Sequence, residues 1–145
     1  MRVRNRKGDS RKFDDWLEFS YEDLKSAELL LSDEECYNAC AFHCQQCIEK
    51  ALKGYILKKA KKRLDGHNLT WLCRQAILVN KAFEQWLDES ATLNTYYIET
   101  RYPSDTPLDL TKNQVDRLFK MADEMFDFIC YEIEGEIYNK SNIKG

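Results

Sequence analysis

Apolar positions along this chain recur at intervals of three and four residues, the spacing that places side chains on one face of an α-helix. Five such segments cover roughly residues 13–31, 32–63, 69–79, 81–100 and 111–138. No segment shows the strict alternation, bounded by hairpin turns, that predicts a strand. Long helices joined by short connections favour antiparallel packing. The pattern therefore predicts an all-α fold, an antiparallel up-and-down helical bundle of four to five helices.

Four helix starts carry capping signals, in which a side-chain oxygen accepts a hydrogen bond from a free backbone N–H. The expected capping residues are Asp14 or Asp15, the pair Ser32 and Glu35, Asn68, and the pair Thr111 and Gln114. Gly66 is expected just beyond the end of the second helix, where a left-handed residue is common. In the third helix Trp71, Leu72 and Ala76 are the core candidates. A loop near residues 101–110 is the longest break in the bundle.

The length and composition are those of one globular domain. The chain has 145 residues, of which 43% are hydrophobic and 32% are charged, which is enough to bury a core. We expect residues 1–11 to form a disordered basic tail, residues 12–139 to form the bundle and residues 140–145 to be flexible. No apolar run approaches the roughly 20 residues that span a bilayer, and no apolar segment follows the basic N-terminus. We therefore expect a cytoplasmic protein that does not use a membrane.

The net charge of −3 does not call for a nucleic-acid partner, but the charges are unevenly distributed. Basic residues concentrate at positions 2–12 and 58–63, and acidic residues at positions 123–136. Each run is explained most simply as a solvated tail or helix end. The alternative for the basic runs is an anionic partner such as RNA or a nucleotide.

Six cysteines raise the question of a disulfide framework or a metal site. Cys36, Cys40, Cys44 and Cys47 fall on one predicted helix, where eleven residues spread them over about 16 Å. Four thiolates so arranged cannot converge on one zinc ion. A cytosolic chain also keeps its thiols reduced, and a free cysteine packs as a small hydrophobic residue. We therefore expect the cysteines to lie in the core, and we assign no metal site and no cofactor.

The second helix also carries a polar strip on a different side from its cysteines. His43, Gln46, Lys50 and Lys53 follow one another at spacings of three and four residues and extend over about 15 Å. One interpretation is that the strip binds a phosphate or a base. The other is that it makes hydrogen bonds between helices, together with a Glu49–Lys53 pair one turn apart.

Three blocks of the sequence, in this order and spacing, resemble the HEPN family, whose name stands for higher eukaryotes and prokaryotes nucleotide-binding. The blocks are Phe42-His43-x-Gln45-Gln46-x-x-Glu49-Lys50-Ala51-Leu52-Lys53-x-Tyr55, His67-Asn68-Leu69 and Tyr97-Ile98-Glu99-Thr100-Arg101-Tyr102-Pro103. The second block has asparagine where the family usually has aspartate. The resemblance covers about residues 13–135.

The resemblance implies a four- to five-helix bundle that is commonly dimeric. Many members are paired with a minimal nucleotidyltransferase in toxin–antitoxin or related systems. Others are metal-independent endoribonucleases that carry Arg-x(4–6)-His. This chain has two histidines, His43 and His67, and the arginine nearest upstream, Arg63, is separated from His67 by three residues only. The cleavage motif is therefore absent, no catalytic residue is assigned, and we do not expect an enzyme.

Seven residues are candidates for binding because they lie on the polar strip, before a helix N-terminus, or beside aromatic side chains that could stack on a base. They are His43, Gln46, Lys50, Lys53, His67, Tyr97 and Arg101. The resemblance implies a homodimer that contacts a nucleotide or RNA and acts with a partner minimal nucleotidyltransferase. Two alternatives remain: an endoribonuclease with a displaced residue set, for example His43 with Arg101, and a purely structural interaction module.

Overall fold

The computed structural model describes residues 10–99, 103 and 109–135, and these form a helical bundle. Its α-helices are α1 (Phe13–Leu30), α2 (Tyr37–Ala60), α3 (Leu69–Val79), α4 (Leu87–Glu99) and α5 (Lys112–Glu134). Short 3-10 helices at Glu34–Cys36 and Lys81–Trp86 lead into α2 and α4. The predicted all-α bundle is confirmed. None of the described helices combines the length and the hydropathy that crossing a membrane requires.

Helix α2 is the central element, since it packs against each of the other four α-helices. Its partner α1 runs antiparallel to it, as two hydrogen bonds show. The Ser20 hydroxyl donates to the carbonyl oxygen of Cys47 at 2.6 Å, and the Cys40 thiol donates to that of Ala27 at 3.3 Å. Moving forward along α1 therefore means moving backward along α2. This register decides which polar residues of the two helices can meet.

Gly54 lets α1 approach the C-terminal half of α2 closely. A Cβ atom at this position would lie 3.1 Å from the Cβ atom of Trp16 and 3.4 Å from the carbonyl oxygen of Phe13. The first distance is shorter than an ordinary van der Waals contact, and the second is at the lower limit of one. A glycine costs helix stability, so its presence here is explained by the close packing of the two backbones.

Two of the predicted caps are present. The Thr111 hydroxyl accepts from the backbone N–H of Gln114 at 3.2 Å, and the Gln114 side chain accepts from the N–H of Thr111 at 2.8 Å, which completes a capping box. The Asn68 side chain accepts from the N–H of Trp71 at 3.0 Å and begins α3 where the sequence predicted. These caps depend only on neighbouring residues, which is why sequence spacing reveals them.

The predicted start and end of the second helix were wrong. Asp33, and not Ser32, accepts from the N–H of Glu35, and it opens a 3-10 turn before α2 begins at Tyr37. The helix ends at Ala60 because Lys61 adopts a left-handed conformation with φ of 59°. Lys61 is therefore the C-cap, and Gly66, which has a positive φ of 95° as predicted, lies in the loop beyond it.

Two other local predictions were also wrong. No side chain caps α1, whose N-cap is Lys12, so Asp14 and Asp15 lie in the first turn, where a negative charge is favourable. Trp71 is 42% exposed, because the buried stripe of α3 follows Leu69, Leu72, Cys73 and Ala76.

The predicted domain limits stay predictions. Residues 1–9 and 136–145, which include most of the expected basic tail and all of the expected flexible C-terminus, lie outside the described residues.

All six cysteines are free thiols, and five of them lie fully in the core as predicted: Cys40, Cys44, Cys47, Cys73 and Cys130. Cys36, in the 3-10 turn, is partly exposed. A hydrogen bond with Cys40 together with burial raises the pKa of Cys44 well above its ordinary value, and burial raises the pKa of Cys73. The same hydrogen bond lowers the pKa of Cys40, and burial together with Asp33 raises the pKa of Cys36, so exposure rather than pKa decides which thiol a reagent reaches.

We therefore predict that a thiol reagent at pH 8 modifies one cysteine per chain, Cys36, under native conditions. The other five should react after the chain is unfolded in denaturant. A Cys36→Ser variant should show no modification before unfolding. Rapid modification of two or more cysteines in the native protein would contradict this account of the core.

Candidate functional site

Two buried carboxylates organise the polar side of α2. Asp23 lies on the buried face of α1, and Glu49 lies near the middle of α2 with its side chain only 5% exposed. A carboxylate removed from water is costly unless donors surround it. Each of these two groups therefore requires hydrogen-bond partners, and both have them.

Asp23 is held by His43 and Lys50, which are seven residues apart on α2 and both face α1. Nδ1 of His43 lies 2.8 Å from Oδ1 of Asp23, and Nζ of Lys50 donates to Oδ2 at 2.7 Å. Because an ionised carboxylate only accepts, Nδ1 carries a proton, and Nε2 is an acceptor in the neutral form of the ring. The His43 side chain is 31% exposed, so a ligand can reach it.

Glu49 receives four donors, two on each oxygen. Oε1 accepts from the side-chain amides of Gln45 and Gln46 at 3.3 and 3.2 Å. Oε2 accepts from Nζ of Lys53 at 2.9 Å and faces Nδ1 of His67 at 2.9 Å. A carboxylate offers about four lone-pair sites, so that of Glu49 is filled. By the same argument Nδ1 of His67 carries a proton, and Nε2 is an acceptor in the neutral form of the ring.

The loop before α3 is fixed to α2 and α4 through His67 and through Leu69, the first residue of α3. The carbonyl oxygen of His67 accepts from the Gln45 amide at 3.1 Å, in addition to the contact with Glu49. The N–H of Leu69 donates to the Asn94 side chain of α4 at 2.8 Å. One turn further along α4, the Tyr97 ring stacks on the His67 ring with centroids 5.0 Å apart. His67 is thereby positioned on three sides although its side chain is 56% exposed.

A path of rings joins the two histidines. The Phe42 ring lies 5.7 Å from that of His43 and 6.2 Å from that of Tyr97, which in turn stacks on His67. The two carboxylate centres are thus parts of one cluster, which we call the α2 polar network. Its members are Asp23, Phe42, His43, Gln45, Gln46, Glu49, Lys50, Lys53, His67 and Tyr97.

The charges within the network balance. Lys50 is paired with Asp23, and Lys53, whose side chain is 6% exposed, is paired with Glu49. The side-chain nitrogen of Gln46 donates to Oε1 of Glu49 and to the side-chain Oε1 of Gln45. With neutral histidines the network therefore carries no excess positive charge. What it can offer a ligand is two oriented imidazoles and aromatic faces for stacking, rather than free cations.

The structure brings together six of the seven residues that the sequence singled out for binding. His43 and Lys50 meet at Asp23, whereas Gln46, Lys53 and His67 meet at Glu49, with Tyr97 against His67. Arg101 lies outside the described residues. In residues 10–99, 103 and 109–135, no three or more His, Cys, Asp or Glu side chains are grouped to hold a metal ion.

Five residues in or beside the network were not among the seven candidates. Phe42, Gln45 and Glu49 had appeared in the sequence blocks but were given no binding role, whereas Asp23 and Asn94 were missed altogether. Asp23 lies three residues after Ser20 and four before Ala27, on the buried stripe of α1. An acidic residue on an apolar stripe indicates that a cation or another hydrogen-bond donor lies on the helix packed against it. Asn94 gives no such signal, because its partner is a backbone N–H at the start of another helix.

Comparison with known structures gives two close matches of fold. A crystal structure of TT1696 from Thermus thermophilus superposes with a TM-score of 0.72 at 28% identity, over 83% of this chain and 97% of that one. A crystal structure of ST0689, described as an archaeal HEPN homologue, superposes with a TM-score of 0.70 at 24% identity, over 85% of this chain and 98% of that one. No functionally curated protein matches the chain.

The family model for the HEPN domain matches residues 13–134. That range includes all of the α2 polar network and ends at the last residue of α5. The chain therefore belongs to the HEPN family.

Proposed function

We propose that this protein is a nucleotide- or RNA-binding HEPN homodimer that acts with a partner minimal nucleotidyltransferase, in a pair of the toxin–antitoxin type. The observation that carries the binding half is the exposed His67 ring, fixed by Glu49 beneath it and by Tyr97 beside it. The dimer and the nucleotidyltransferase partner rest on the resemblance to the family.

The geometry at His67 suits a nucleobase better than a phosphate. A ring that is stacked on Tyr97 and more than half exposed presents a flat surface on which a base can stack. Its Nε2 can accept a hydrogen bond from an amino or ring N–H group of that base. Because Lys50 and Lys53 already neutralise buried carboxylates, little positive charge remains for a phosphate at this position. Base recognition is therefore the chemistry that the network supports.

Binding without cleavage is favoured because the Arg-x(4–6)-His motif is missing. One observation supports the endoribonuclease alternative. The Asp23 carboxylate orients the His43 imidazole through Nδ1, an arrangement in which a histidine can act as a general base through Nε2. RNA incubated with the wild-type protein and with His43→Ala separates the two. Intact RNA in both samples removes the alternative, and cleavage that His43→Ala abolishes would establish it.

We predict that isothermal titration with ATP and other nucleotides detects binding to the wild-type protein, and that His67→Ala weakens it by about tenfold, the loss of one stacked ring. Because His67 is exposed and Lys53 still neutralises Glu49, the variant should keep its helical circular dichroism spectrum. Asp65→Ala, an exposed change in the same loop, is the matched control and should bind like the wild type.

Two results would contradict the proposal. Equal affinity in the wild type and His67→Ala would show that nucleotides do not bind at this ring. The absence of heat with every nucleotide, together with no binding of RNA, would leave the structural interaction module as the function of the fold.

A further inference from the structure

A second feature of α1 and α2 lies along the outer seam between the two helices. Three aromatic residues of α1, spaced three apart, each have a lysine ammonium group of α2 near the ring. The distances from Nζ to the ring centroid are 5.9 Å for Lys50 and Phe19, 5.6 Å for Lys53 and Trp16, and 4.7 Å for Lys58 and Phe13. These lie within the range of cation–π attraction. We call these six residues the aromatic–lysine ladder, and its rings span about 9 Å along α1.

The ladder is exposed at Phe19, is buried at Lys53 and is partly exposed elsewhere, and two clefts flank it. Phe19 is 55% exposed, which is unusual for a phenylalanine beside the core. A cleft of about 300 Å³ is lined by Trp16, Phe19 and Lys50 together with Ser10 and Asp15.

A second cleft, of about 330 Å³, opens one helical turn away around Phe13. Its other lining residues are Arg11, Leu57, Lys58, Lys61 and Arg63. Aromatic surface and basic groups therefore alternate along the seam.

Charge increases from the first cleft to the second. In the first, Lys50 is neutralised by Asp23, and the Asp15 carboxylate accepts from the Ser10 hydroxyl at 2.6 Å. In the second, Arg11, Lys58 and Lys61 form no ion pair with any carboxylate of the described residues. This end of the seam consequently holds the positive charge that the α2 polar network lacks.

A structural explanation covers part of this arrangement. Cations near the C-terminus of α2 interact favourably with the helix dipole, which accounts for Lys58 and for Lys61 at the C-cap. It does not account for exposed Phe19, for the three ring–ammonium pairs, or for two clefts on the same side. A polyanion with flat aromatic groups accounts for all of them, because stacking surfaces beside a basic groove are what single strands require.

We propose that the aromatic–lysine ladder and the basic cleft form a binding surface for single-stranded nucleic acid. Bases stack on Phe19 and Trp16, while phosphates lie against Arg11, Lys58 and Lys61. A duplex hides the faces of its bases and cannot use the rings. The surface does not include His67 or Tyr97. This inference rests on the proposed function only for the premise that the ligand is a nucleic acid.

The test is fluorescence anisotropy with labelled single-stranded RNA, single-stranded DNA and an RNA duplex over a range of salt concentrations. Three phosphate contacts predict a slope of about −2 for log K against log salt with a single strand. Lys58→Gln should reduce the size of that slope by about 0.7. Phe19→Ala should weaken binding of the single strand by about tenfold. Tighter binding of RNA than of DNA would identify RNA as the ligand, and equal binding would identify single strands of either kind.

Matched controls come from exposed residues away from the seam. Trp71→Ala removes an exposed aromatic ring of α3, and Lys25→Gln removes an exposed lysine of α1 that pairs with Glu28. Both should bind single strands like the wild type. Unchanged circular dichroism checks that each variant is folded.

Wild-type affinity in both Phe19→Ala and Lys58→Gln would overturn the inference, and so would equal binding of duplex and single strand. Conversion of a dimer to a monomer by Phe19→Ala, with unchanged nucleic-acid binding, would overturn it by making the seam a subunit interface. Failure here is distinguishable from failure of the proposed function. Loss of nucleotide binding in His67→Ala, with ladder variants normal, supports only the site at His67, and the reverse supports only the ladder.

Discussion

The Glu49 carboxylate is buried in the central helix, and its need for donors constrains much of the surrounding structure. It takes both amides of Gln45 and Gln46, neutralises Lys53 and holds His67, so the loop before α3 is fixed to α2. A group removed from water in this way is tolerated only with its partners in place. One consequence is that Lys50 and Lys53 neutralise buried carboxylates instead of facing a ligand as free cations. The basic cleft on the outer seam between α1 and α2 differs, because its Arg11, Lys58 and Lys61 form no ion pair with a carboxylate of the described residues.

Much of the fold could be predicted from the sequence because its signals are local. The 3.6-residue period places every helix, and the capping box of Thr111 with Gln114 marks the start of α5 within one residue. The errors occur where two neighbouring residues, or two kinds of helical turn, compete for the same few positions. Asp33 displaces Ser32 as a cap, and Asn80 accepts from the N–H of Ala82 to begin a 3-10 turn where an α-helix was expected. Neighbouring caps of similar strength cannot be ranked by spacing alone.

The clustering of polar residues on α2 was predicted in part, whereas their role in binding stays a prediction. Helical spacing places His43, Gln46, Lys50 and Lys53 on one side of α2, and the structure confirms that they cluster. Their partners could not be read from spacing, because Asp23 meets His43 only through the antiparallel register of α1 and α2. The Glu49–Lys53 pair is different, because its two residues are one turn apart on the same helix; it was one of the two interpretations of the strip, and the structure confirms it. Pairing across helices is a property of the packed bundle.

The most direct test of the central claim is a double-mutant cycle on Glu49 and Lys53, measured by denaturant unfolding. Glu49→Gln keeps the shape but leaves the buried Lys53 ammonium without its counter-charge, so we predict a loss of about 3 kcal/mol in the free energy of unfolding. Lys53→Met in the Glu49→Gln background should cost much less than in the wild type, with a coupling of about 1–3 kcal/mol. Additive effects with coupling near zero would contradict the account, because the pair would then behave as two independent surface residues.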